Sequence, residues 1–111
     1  MEKLYRKLAC KVILVVALLS QLIAIIADEG RIIQRFSGCD YFIADGNKGL
    51  YVLEWYGGYD PKEGDRISGD IGRYGMKTVT YPNVNKTGRV WVEDYLESES
   101  AAMDEINDHC R

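Results

Sequence analysis

The chain has 111 residues, with 14 basic and 17 acidic side chains, a formal charge of −3 at pH 7 and 47% apolar residues. That length holds one small domain, which excludes a large multidomain enzyme or a repeat array, and the apolar and aromatic content excludes a disordered chain. The charge is unevenly spread: residues 1–27 carry Lys3, Arg6, Lys7 and Lys11 against Glu2 alone, a net +3, which leaves the following 84 residues at −6.

From Val12 to Ala27 the chain reads VILVVALLSQLIAIIA, broken only by Ser20 and Gln21. Cations followed by a short apolar run are the n-region and h-region of a secretory signal. As a helix this run would span ~24 Å, short of the roughly 30 Å hydrocarbon core of a bilayer. A signal peptide over residues 1–27 is therefore expected, with a domain over 28–111 in the periplasm or secreted. The competing expectation is an uncleaved anchor, the one route by which the chain would touch a membrane. Cys10 leaves with the signal, and Cys39 and Cys110 remain. An even pair in a small exported domain predicts a disulfide, worth on the order of 4 kcal/mol in the chain-entropy model for a loop this long.

All eleven glycines fall after residue 27. Between them lie short runs rich in β-branched and aromatic residues: 31–36, 40–44, 50–56, 64–72, 76–81 and 89–95. Asp45-Gly46-Asn47-Lys48-Gly49 tolerates positive φ and predicts a hairpin between the second and third runs. In the third run Leu50 and Val52 face one way while Tyr51, Leu53 and Trp55 face the other, which predicts a strand covered on both faces. Ile67, Gly69 and Ile71 would point inward, with Gly69 marking a close backbone approach. Val90 and Val92 share one face, and Trp91 takes the other. Short strands without intervening helices predict an antiparallel meander or Greek-key barrel. The period then changes: Ser98 or Ser100 can cap a helix, and Ala102, Ile106 and Cys110 recur on one face of it. That face directs Cys110 to the buried side, where it would meet Cys39.

The run Leu53-Glu54-Trp55-Tyr56-Gly57-Gly58-Tyr59-Asp60-Pro61, followed by Gly64-Asp65, Ile67, Gly69-Asp70 and Tyr74-Gly75, resembles a pattern in small exported bacterial proteins of uncharacterised function. The resemblance implies an all-β, mainly antiparallel, OB-like barrel of five to six strands with one C-terminal helix. It brings no catalytic residue with it.

The chemistry-bearing motifs are sparse. A serine nucleophile elbow, HExxH, CxxC and a Walker loop are all missing. His109 has no orienting partner that the sequence identifies and reads as a surface histidine. Asp60, Glu63 and Asp65 fall short of a calcium loop and read as a solvated turn. No cofactor, metal or catalytic residue is expected. Tyr56 and Tyr59 on their glycine hinge, with Trp91, are the candidate ligand-binding residues, set against the plainer expectation that these aromatics pack the core. The partner would be a protein, peptide or glycan. Nucleic acid is disfavoured, because its binding draws on Lys and Arg whereas residues 93–111 hold seven acids and one arginine. Two further readings stand beside the binding module. One is an envelope hydrolase pairing Asp60 with Asp65 or Asp70, and the other is an assembly factor held at the membrane.

Overall fold

The computed structural model describes residues 27–110, and the expected signal, Ala27 apart, lies outside the described residues. The strands are β1 (Asp28–Arg35), β2 (Tyr41–Gly46), β3 (Gly49–Gly58), β4 (Arg66–Gly69), β5 (Gly75–Tyr81) and β6 (Lys86–Glu97), followed by helix α1 (Glu99–His109). They close into a barrel in the order β1-β2-β3-β6-β5-β4, with every pairing antiparallel. Because β4 returns to lie beside β1, the first four strands form a Greek key, and the β5–β6 hairpin fills the remaining gap. This is the expected OB-like barrel with its terminal helix.

The local devices follow from the residues. The first hairpin closes at Gly46↔Gly49, leaving Asn47-Lys48 as its two-residue loop. Gly58 sits opposite Gly88 at φ 75°, and a Cβ there would lie 2.6 Å from the Gly88 Cα, so this crossing of β3 and β6 admits only glycine. A Cβ on Gly69 would lie 3.0 Å from Val79 Cγ1, the close approach expected on the inward face of β4. Strand β4 is shorter than the predicted run over 64–72 because the chain before it acts as a brace. The Ile32 amide donates to the Asp65 carbonyl, and the Gly64 amide donates to the Ile32 carbonyl.

Two apolar clusters result, one on each side of the sheet. Inside the barrel lie Ile32, Phe42, Tyr51, Leu53, Ile67, Val79, Val90 and Val92. Burying a side chain of this size contributes about 1.5–3 kcal/mol. Outside it, Ile43 on β2 and Val52 on β3 receive Ala102 and Ile106 of α1. Leu50 and Val52 thus serve the helix while Tyr51 and Leu53 serve the interior, the two-sided burial predicted for this strand. Ser98 caps α1, its Oγ accepting from the Ala101 amide at 3.3 Å. The helix ends beside the β1–β2 loop, where Cys110 and Cys39 form the expected disulfide across a Cα separation of 5.5 Å. Among the described residues no helix is long and apolar enough to cross a membrane.

Candidate functional site

The interior cluster fills the barrel, so a candidate binding surface lies on its outside. The register sets Tyr41 opposite Glu54, Glu54 opposite Trp91, and Trp91 opposite Met76, forming one cross-strand row over β2, β3, β6 and β5. Tyr56 lies two residues beyond Glu54 on the same face of β3. Trp91 is 40% exposed and Tyr56 53%, the reverse of what core packing requires.

Charge gathers along the same row. The Tyr41 phenol is pushed well above its ordinary range, first by burial and then by Glu54. Tyr56 is raised by its hydrogen bond to Glu54 and by the charge of that carboxylate. His109, the last residue of α1, stacks on Tyr41 with ring centroids 4.2 Å apart and planes 10° from parallel. Its Nε2 lies 3.6 Å from Glu93 Oε1. An open cleft of about 610 Å³ separates this helix end from the β1–β2 loop, with Phe36, Asp40, Tyr41, Glu54 and His109 among its lining residues. The disulfide forms part of its wall.

No family model, curated protein or solved structure matches this chain. Its site is therefore read from its own geometry.

Of the three aromatic residues singled out by sequence, the fold brings Tyr56 and Trp91 to one face and turns Tyr59 to another task. The Tyr59 hydroxyl donates to Asp65 Oδ2 at 2.7 Å, and its ring packs on Tyr81 at 5.1 Å. Asp65 is the one buried charged side chain among the described residues. It accepts also from the Lys62 amide at 2.9 Å and from Asn83 Nδ2 at 2.8 Å. Burial pulls this carboxyl upward, but those three donors outweigh it and hold it below the ordinary aspartate range. The other carboxylates weighed for calcium or hydrolysis are engaged elsewhere. Asp60 pairs with Arg35 at 3.0 Å, Glu63 accepts from the Arg35 amide, and Asp70 faces both Lys77 and Arg73.

One cluster had no counterpart in the sequence reading. Asp94, Glu97 and Glu105 bring one carboxyl oxygen each within 4.8 Å of one another, at the seam of β6 and α1. Burial, then Asp94 and Glu105, push Glu97 up to about 8. Glu105 rises to about 7, by burial first and then by its hydrogen bond to Asp94. Burial pulls Asp94 the same way, but hydrogen bonds from Glu97, the Tyr95 amide, Glu105 and Tyr74 outweigh it and keep it ionised. Oxygen donors of this kind suit a hard divalent cation. Carboxyl groups that retain their protons are poor ligands, however, and the trio reads as a proton-sharing seam.

Proposed function

We propose that this chain is a small exported, non-catalytic binding module of the bacterial envelope that engages a protein, peptide or glycan through the outer face of β3 and β6. The observation that carries the reading is the joint exposure of Trp91 and Tyr56 around Glu54, next to the cleft; among the described residues the other exposed large apolar side chains are Ile33, Tyr74 and Leu96. Large aromatics left in water beside a cleft are the usual anchors of a binding surface. The non-catalytic part is supported by the engagement of Asp60, Asp65 and Asp70 with internal partners. Export to the periplasm or beyond is supported by the cationic and apolar order of residues 1–27 and by the paired cysteines. The acidic balance of residues 28–111 supports a partner other than nucleic acid.

The oxidised protein, used as bait in an envelope extract, should capture a partner that a Tyr56→Ala and Trp91→Ala double variant loses, with both proteins giving the same circular dichroism spectrum. Equal capture by the two would overturn the placement of the binding face.

A further inference from the structure

The row around Glu54 says more than that a surface is sticky; it selects the charge of what binds. Three carboxylates, Asp40, Glu54 and Glu93, stand on or beside the cleft. Of the ion pairs among the described residues, none joins a lysine or arginine to any of the three; Glu93 meets only His109. Among the described residues the lining of the cleft, from Phe36 to Tyr41 with Glu54, His109 and Cys110, contains no lysine or arginine, and the neighbouring Arg35 guanidinium is taken up by the Phe36 and Cys39 carbonyls and by Asp60. The C-terminal end of α1 opens onto the same space, and the unpaired carbonyls at a helix C-terminus add partial negative charge.

Aromatic side chains surround this negative centre. Tyr41 on β2, Tyr56 on β3 and Trp91 on β6 flank Glu54 from three adjacent strands. A carboxylate has about four lone-pair sites, and among the described residues no lysine or arginine pairs with Glu54, so it keeps acceptor capacity for an incoming donor. Aromatic faces attract a cation through the ring quadrupole, tryptophan most strongly, and the effect grows as the cation is desolvated. A carboxylate beside the Tyr41 wall, with Tyr56 and Trp91 on its flanks, therefore favours a long cationic side chain. An anion would be repelled, and a neutral group would leave Glu54 unpaired.

We propose that this cleft receives a lysine or arginine side chain of a partner polypeptide, with Glu54 as counter-ion and Tyr41 as its aromatic wall, while Tyr56 and Trp91 lie next to Glu54 outside the cleft and contact the partner beyond it. The inference rests on the binding-module reading above and gives that module its ligand class. The cleft volume lies within the range of about 300–1,000 Å³ typical of ligand sites, which accommodates such a side chain and its flanking backbone.

The test uses the full oxidised chain, isotope-labelled for NMR, and short glycine-serine peptides that differ at one central residue. Arginine and lysine peptides should shift the Trp91 indole N–H and the amides of Tyr41, Glu54 and Tyr56. Citrulline, acetyl-lysine and glutamate versions should bind about tenfold more weakly or worse, as should the arginine peptide to Glu54→Gln, because a charge-assisted contact is lost. Raising the salt concentration should weaken only the cationic peptides. If neutral isosteres bind as tightly as arginine, or Glu54→Gln leaves the arginine affinity unchanged, the cation assignment fails while the binding face stands. If none of the peptides shifts these residues, the assignment also fails. The face itself is judged separately by whether envelope capture depends on Tyr56 and Trp91.

Discussion

Tyr59 and Tyr81 pack ring against ring, yet their hydroxyls meet opposite conditions. Tyr59 donates to an ionised, buried Asp65, whereas the Tyr81 hydroxyl is fully buried without a protein partner. A hydrogen bond to a charged group contributes about 1.5–3 kcal/mol, and an unpaired buried hydroxyl contributes nothing and carries a desolvation penalty. Tyr59→Phe should therefore lower the unfolding free energy by about 1.5–3 kcal/mol. Tyr81→Phe should leave it unchanged or raise it slightly, with the urea m-value constant in both. No loss from Tyr59→Phe, which keeps the ring and removes only the hydroxyl, would show that ring packing, and not the Asp65 network, gives Tyr59 its importance. The sequence offered Tyr59 as half of a stacking platform because Tyr56 and Tyr59 sit on one glycine hinge. What separates them is the fold: Asp65 and Asn83 arrive from the next two connections and commit the Tyr59 hydroxyl to the barrel.

Among the elements, the seam between β6 and α1 sets a pH dependence whose sign follows from Glu97 and Glu105. Both keep protons in the folded chain that the unfolded chain releases near 4.5. Between about pH 4.5 and about pH 8 the unfolded state thus binds fewer protons than the folded one, and stability falls as pH rises through that window. Tyr74, Asp94 and Tyr95 face the same seam and leave it without a cation to offset the charge that deprotonation creates. Unfolding followed across this range should show the decline, and Glu97→Gln with Glu105→Gln should flatten it. A stability that is level or increases toward pH 8 in the parent chain would contradict the shared-proton account. Elements of this kind show which parts of the molecule were readable in the sequence. Strand faces follow a period of two, so the burial of Val90 and Val92 and the exposure of Trp91 could be read directly. Extending the hairpin register back from Gly46↔Gly49 also leads to Tyr41↔Glu54. The pairing of β3 with β6 shifts register three times between Leu50 and Gly57, and no local pattern encodes those shifts. The meeting of Glu54 with Trp91, and of Glu97 with Asp94 and Glu105, depends on them, which is why Tyr56 and Trp91 could be named from the sequence while their junction with Glu54, and the acidic seam, were not legible.

At the scale of the whole molecule, the barrel and its helix are held by different means. Every strand has two neighbours, so the barrel closes through its own hydrogen bonds and interior cluster. Helix α1 lies outside that closure and rests on the smaller cluster with Ile43 and Val52. The disulfide ties its far end to the β1–β2 loop, spanning 71 positions of sequence. Breaking the bridge releases loop entropy to the unfolded chain and frees the helix end, so the effect should be both global and local. Cys39→Ser with Cys110→Ser should cost about 2–4 kcal/mol of overall stability. In hydrogen exchange, α1 amides should lose protection well before those of β3 and β6, because the helix can detach while the barrel stays closed. The same variant should lose most of its affinity for an arginine peptide, since Cys39 and Cys110 hold the two walls of the cleft together. If α1 and the barrel instead lose protection in parallel, the helix is integral to the barrel's folding unit. The cleft would then open only by global unfolding, not by release of the helix.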